Sequence, residues 1–356
     1  MNNNAAQAVH EECYSPDYVR LSLAAAMTLG FARGRFYRNA RLGCINLLET
    51  FPGGCKANCA FCGLAREKHV DRFDPKFEKF IRVTWKAYNL AEVIERCNDA
   101  PKWVERVCVS LVTHPRASGD GIEICRRVSK GTGLPVSMLI APTMMKDGAL
   151  QAMRDAGADR AGVAIDAATP DLFAKLRGKP AGGPHNWEHY WKSYEKAIEV
   201  FGQGMVGTHL IYGLGETEKE LIETIDRARE MGGCTHLFCF FPEKMSALKD
   251  LGQPSPNGYR RIQMARWLID NDLSRASRMT FDEEGRVLDF GVGPEVYEQA
   301  LAGGQPFMTS GCPGASGKVA CNRPFGNEKP GPDLRNYPFD LSPEDVALVR
   351  EQIAAY

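Results

Sequence analysis

Cys55-Lys56-Ala57-Asn58-Cys59-Ala60-Phe61-Cys62 places three cysteines at C-x3-C-x2-C spacing in the twelve-residue loop between Phe51 and Leu64. Three thiolates this close, with no fourth cysteine beside them, suit three corners of a [4Fe–4S] cluster and leave one iron open. Two other uses compete. A structural zinc site wants four ligands, and the nearest candidate for the fourth is His69, set among charged residues. A disulfide could join only one pair of the three and needs an oxidising compartment.

Outward from the loop, composition narrows the class. The 356 residues suit one large domain or two ordinary ones, a length that parallel α/β barrels use for one. Hydrophobic residues at 44% are enough for a sizeable core, and 44 basic residues against 44 acidic ones leave no net charge. A broad nucleic-acid surface would need a basic excess, so no nucleic-acid partner is expected. No run of 18 apolar residues exists, and the first residues lack the charged-then-apolar order of a secretory leader. The expectation is a soluble cytoplasmic protein with no membrane partner. Twelve cysteines, dispersed along the chain, favour metal or redox use over a disulfide scaffold.

Along the chain, Ser15–Gly34 opens on a Ser-Pro-Asp start signal and reads as an N-terminal helix. Arg41–Phe51 reads as the first strand, delivering the chain into the cysteine loop. Strands are then predicted over 104–112, 135–141, 160–166, 205–212 and 236–241. Helices are predicted over 90–98, 121–130, 146–156, 187–201, 216–231 and 259–270. Six strands alternating with six helices, each strand a short and nearly continuous apolar run, argue for a parallel sheet covered by helices. Right-handed crossovers curl such a series into a barrel or an open sheet, and periodicity does not choose between them. Past about residue 275 the alternation stops. Residues 303–338 are rich in proline and glycine and read as loop, and a last helix is predicted over 343–355 behind Ser342.

At Cys55, Cys59 and Cys62 the chain resembles the radical S-adenosylmethionine (radical SAM) superfamily, whose cysteine loop carries an aromatic residue before its last cysteine, as Phe61 does here. The resemblance implies an α/β fold, a partial (β/α)6 parallel barrel with the cluster loop after the first strand. Around it stand an N-terminal helix and an irregular C-terminal extension. The corresponding division is 1–40, 41–275 and 276–356. It also implies that the open iron binds the amino and carboxylate groups of S-adenosylmethionine, whose reductive cleavage yields a 5′-deoxyadenosyl radical.

Further residues acquire expectations from the same resemblance. Ile211-Tyr212-Gly213-Leu214-Gly215-Glu216 is similar to the family's I-x-G-x-x-E segment along the adenine; there the glycines admit a flat ring and Glu216 caps the next helix. A plain strand-to-helix turn is the alternative. Asp166, at the end of the fourth predicted strand, is either a ribose or substrate contact, as in biotin-synthase-like members, or an early helix N-cap. Arg177, with Lys179 or His185 near it, meets the methionine carboxylate or lies in a solvated loop. Ser110 and Thr113 stand where many members carry a Gly-Gly-Glu amino-group binder, a motif absent here.

The remaining cysteines bear on the subclass. Cys97, Cys125 and Cys234 read as small buried apolar residues, while Cys108 and Cys239, in predicted strands, stay open between core and ligand. Cys312 and Cys321 sit in a Pro- and Gly-rich tail with little else to hold it, which favours a ligand role. Cys44 could join them if the tail folds back, and Ser310 offers a weaker, exchangeable oxygen. The Cys44–Cys55 stretch and the tail resemble the biotin-synthase-like proteins that serve as two-subunit lipoyl synthases in archaea and some bacteria. That implies a second Fe–S cluster at Cys44, Cys312, Cys321 and Ser310, spent as sulfur source for C6 and C8 of an octanoyl group. The implied partners are an octanoylated lipoyl-domain or H-protein-like carrier, a paralogous radical SAM subunit and an external electron donor. The alternatives are a biotin-synthase-like mutase, lyase or maturase without sulfur insertion, and a non-catalytic Fe–S or zinc protein.

Overall fold

In the computed structural model the described residues are 13–67, 79–80, 82–326, 328 and 331–356. Six strands run parallel: β2 (Cys44–Leu48), β5 (Arg106–Ser110), β6 (Val136–Ile140), β7 (Ala158–Asp166), β8 (Val206–Tyr212) and β9 (Cys234–Cys239). They occupy consecutive places in a nine-stranded sheet of order β3-β4-β1-β2-β5-β6-β7-β8-β9. The extra strands, β1 (Tyr18–Ser22), β3 (Lys79–Phe80) and β4 (Val83–Asn89), extend it antiparallel at the β2 edge. Every residue of β2, β5 and β6 is buried, because both faces of a parallel sheet are covered.

Helices α2 (Leu90–Asn98), α3 (Ala117–Thr132), α4 (Ala149–Asp155), α5 (Pro170–Arg177), α6 (Trp187–Phe201) and α7 (Glu218–Glu230) form the crossovers, and α8 (Pro256–Asp270) follows β9. Five of these seven helices start at side-chain caps, Asn89, Thr169, Asn186, Thr217 and Ser255, whereas α3 and α4 have none. The main core holds Val107, Val109, Ile140 and Val163 from the sheet together with Ile124, Val128, Trp191 and Ile225 from the helices. The opposite face is concave: β5 to β9 all contribute to one interior cavity, so the sheet is curled as a partial (β/α)6 barrel.

The N-terminal stretch departs from the expected helix over 15–34. Only α1 (Leu23–Thr28) is helical, capped by Ser22, and β1 precedes it. The physical reason is the period-2 burial of Val19 and Leu21, both fully buried, with β1 hydrogen-bonded on both sides to β2 and β4.

Beyond α8 come a hairpin, β10 (Thr280–Phe281) with β11 (Val287–Asp289), then α9 (Pro294–Gly303), the single turn α10 (Arg323–Gly326) and α11 (Pro343–Ala354). A second apolar cluster, including Leu268, Leu301, Phe307, Tyr337 and Val349, fastens this region to α8. Arg260 of α8 adds hydrogen bonds to the carbonyls of Leu334 and Arg335 and to Gln352. Among the described residues no helix is long and apolar enough to cross a membrane.

Candidate functional site

The cysteine loop leaves the carboxyl end of β2 and is tied by backbone bonds to the segment after β5, to the end of α5 and to the segment after β9. Lys56 N–H donates to Thr113 O, Ala60 N–H to Leu176 O, and Leu248 N–H to Ala60 O. Asn58 donates to Ala181 O at 2.7 Å and accepts from Glu67 N–H at 3.1 Å, closing the loop around Cys59 and Cys62. Cys59 is buried, while Cys55 and Cys62 are partly open. Burial pushes the Cys59 thiol up, and the guanidinium of Arg177 beside it works in the opposite sense. His69 lies outside the described residues.

Asp166 ends β7 with φ +66, a left-handed conformation that costs a non-glycine residue and that coincides with a register irregularity between β7 and β8. Its carboxylate lies 3.1 Å from Arg177 Nη1. The early-cap alternative fails, because Thr169 caps α5 through Leu172 N–H. Arg177 is itself held by the carbonyls of Ala164 and Ile165, by Tyr190 Oη at 3.3 Å, and by the face of the Tyr190 ring. His185 serves that buttress by contacting Tyr190 and Thr143, and burial holds its imidazole neutral. Lys179 is exposed. Tyr190 and His185 carry no motif that marks them as the support of Arg177.

Phe61 packs with Leu176, Leu214, Phe240 and Ile211, so the cysteine loop and the 211–216 segment share one apolar patch. Gly213 has φ +100, and a Cβ there would come within 2.4 Å of Pro254. Glu216 does not cap the next helix: Thr217 does, in a capping box with Glu220. Glu216 instead folds back to accept from Gly213 N–H and from Leu214 N–H at 3.0 Å, fixing the turn, and burial lifts its carboxyl to about 7. The reason is geometric: Glu216 lies one residue before the cap and within reach of the orphan N–H groups of its own turn.

A second group of cysteines converges inside the barrel, toward the amino ends of the strands. Cys44, Cys108, Cys312 and Cys321 form one buried cluster with Leu139. Asn46 pairs with Cys108 in the β2–β5 ladder, and Asn46 Nδ2 lies 3.7 Å from Cys44 Sγ. The tail reaches this place by folding back. Asn322 accepts from Gly43 N–H and donates to Arg41 O, and Arg106 donates to Pro313 O. Gly43 is needed here, since a Cβ would stand 2.8 Å from Ala320 O.

The interior cavity is lined by Cys108, Cys312, Cys321 and Ser310, with Arg323, His209 and His236 among its other walls. Burial raises the Cys44, Cys108 and Cys312 thiols. Cys321 is held down to about 5 by the neighbouring Cys44 thiol, with help from His236 and the Arg323 N–H against its own burial. One thiol of the set is therefore disposed to ionise first. Ser310 Oγ accepts from Leu237 N–H at 3.0 Å while facing the same cavity. Ser110, at the end of β5, accepts from Arg323 Nη1 at 2.9 Å. Cys239 packs elsewhere, 3.7 Å from Arg335 Nη1.

Cys108 was open in sequence terms, although Arg106, Cys108 and Ser110 alternate on one face of β5, which was the available signal. Arg323 had none beyond its place two residues after Cys321. Among the described residues no group of three or more His, Cys, Asp or Glu is arranged around the position of a single metal ion. Four buried cysteine sulfurs from β2, β5 and the tail are the donor type that a four-iron cube takes at its corners.

The family model described as the radical SAM superfamily matches residues 50–228, just over half the chain. No curated protein matches. Among solved structures, HydG, a maturase of the [FeFe]-hydrogenase, is 13% identical with a TM-score of 0.49, covering 67% of this chain and 52% of its own. Streptococcus suis SuiB is 13% identical with a TM-score of 0.45, covering 63% and 48%. Coproporphyrinogen III oxidase (HemN) of Escherichia coli is 16% identical with a TM-score of 0.34, covering 48% and 38%. The chain spans about half the length of the first two and less of the third.

Proposed function

We propose that this chain, which belongs to the radical SAM superfamily, inserts sulfur into an unactivated alkyl chain, the octanoyl group of a lipoyl-carrier protein. Bound there, a [4Fe–4S] cluster with S-adenosylmethionine supplies a 5′-deoxyadenosyl radical, and a second cluster supplies sulfide. Cys55, Cys59 and Cys62 hold the first. Cys44, Cys108, Cys312 and Cys321 hold the second, with Ser310 as an exchangeable oxygen at its rim.

The observation that carries the reading is the return of the tail, which brings Cys312 and Cys321 to Cys44 and Cys108 below the cysteine loop. Around the nucleoside, Asp166 orients the ribose, Arg177 meets the methionine carboxylate, and Phe61, Ile211 and Gly213 border the adenine. Glu216 keeps the N–H groups of that turn occupied and so fixes its shape. An alkyl radical attacks most C–H bonds, so the closed interior excludes water and competing donors. An external electron donor and a paralogous subunit complete the system.

The test is mass spectrometry of an octanoylated carrier peptide after anaerobic turnover, with and without a partner subunit. Added sulfur supports the proposal. Formation of 5′-deoxyadenosine with the octanoyl mass unchanged would favour a mutase, lyase or maturase, and no 5′-deoxyadenosine at all a non-catalytic metal protein.

A further inference from the structure

Arg323 is a buried cation that, among the described residues, has no carboxylate partner. Its guanidinium lies 5.6 Å from the Trp85 ring centroid, and the Cys321 thiol is among the acidic groups that feel its charge. Arg323 is 6% exposed, and among the described residues its guanidinium donates one hydrogen bond, to the neutral Ser110 hydroxyl. The other deeply buried arginines are balanced. Arg106 pairs with Asp159, Arg177 with Asp166 and Arg261 with Glu218, while Arg260 is spread over carbonyl and amide oxygens. Burying a charge unpaired is costly, and a guanidinium keeps its proton, so it does not escape by neutralising. Asp166 feels the charge of Arg323 but is already committed to Arg177.

The surroundings identify the absent counter-charge. Arg323 lines the cavity together with Cys108, Cys312 and Cys321. Its backbone N–H faces the Cys321 sulfur, and its side chain runs to Ser110, two residues beyond Cys108 on the same face of β5. The guanidinium thus stands between the four-thiol set and the Asp166 end of the barrel. A cluster whose core charge is smaller than that of its four thiolates is a net anion, and it offers sulfur acceptors to N–H donors.

We infer that Arg323 is the positioning residue of the second centre, its permanent charge and free N–H groups neutralising the anionic cluster on the side that faces Asp166. This rests on the second-cluster reading. Positive charge and hydrogen bonds at cluster sulfur make a centre easier to reduce. Arg323 accordingly sets both the retention of the second cluster and its potential.

The test uses the full chain carrying Cys55→Ala, Cys59→Ala and Cys62→Ala, so that any remaining iron belongs to the second centre. Iron per chain and an EPR-monitored redox titration are compared for this background and for the same background with Arg323→Gln or Arg323→Lys. The expected result is a second centre whose potential moves to more negative values in R323Q and stays close to the background in R323K. Loss of iron in R323Q with retention in R323K supports the inference equally, because charge and not shape is restored. Full iron with an unmoved potential in R323Q overturns it and assigns the guanidinium to an anionic group of the substrate. Equal loss of iron in both variants also overturns it. No iron in the background itself removes the second-cluster reading, and this inference with it.

Discussion

Arg177 Nη1 lies 3.1 Å from Asp166 Oδ2, and the same guanidinium bonds the carbonyls of Ala164 and Ile165 that lead into Asp166. One side chain therefore fixes both the carboxylate and the left-handed turn that presents it. Lysine lacks the planar fork that reaches these acceptors together. We expect Arg177→Lys to weaken S-adenosylmethionine binding at least tenfold, about 1.4 kcal/mol, in equilibrium dialysis of the reconstituted protein. Asp166→Asn leaves a buried guanidinium unpaired and should cost about 3–5 kcal/mol of stability in chemical denaturation.

Glu49 gives a pH prediction. Its Oε2 accepts from Val112 N–H, but Oε1 is buried without a partner, and burial raises its pKa well above the ordinary carboxylate range. The folded state thus binds a proton that the unfolded state releases at lower pH. Stability is full below the unfolded pKa and falls as pH rises through the folded one. Glu49→Gln keeps the acceptor and cannot ionise. It should be more stable than wild type at about pH 8, with the gap shrinking by up to about 1.4 kcal/mol per pH unit toward pH 5; urea melts at both pH values check this.

Gly213→Ala meets two obstacles, a φ of +100 and contact with Pro254 at 2.4 Å. The turn must shift, and with it the N–H groups that Glu216 binds. A loss of about 1–3 kcal/mol is expected, with a rise in the dissociation constant for S-adenosylmethionine. Unchanged binding in a folded variant would detach this turn from the nucleoside.

Gly43→Ala tests the tail without touching a thiol. The new methyl would press on the Ala320 backbone, lifting Cys321 from Cys44. Iron at the Cys55–Cys62 loop should persist while iron beyond it falls, read as metal per chain after anaerobic reconstitution.

Much of the barrel was legible because continuous apolar strands and well-capped helices state their own ends. Leu90–Asn98 and Trp187–Phe201 form as predicted, and Asn89 and Asn186 cap them. Tyr18–Ser22 was misread because a short alternating strand beside Ala24-Ala25-Ala26 is overshadowed by helix formers, and only its two neighbours β2 and β4 make it a strand. Pro170–Arg177, eight residues long, was passed over as loop although Thr169-Pro170-Asp171 is a sound start signal. The meeting of Cys44 and Cys108 with Cys312 and Cys321 depends on long-range contacts at Gly43, Asn322 and Arg106 that no local pattern encodes. Arg323 was silent for the same reason: its meaning lies in being buried beside the interior thiols with no carboxylate partner among the described residues.

The central claim is that one chain holds two clusters, one at the loop and one at the four interior thiols. Its most direct test is iron per chain, with EPR of the reduced protein, for the Cys55→Ala, Cys59→Ala, Cys62→Ala variant reconstituted anaerobically. The account predicts about four irons and a [4Fe–4S] signal that disappear on adding Cys44→Ala and Cys312→Ala. A folded triple variant that binds no iron would contradict it.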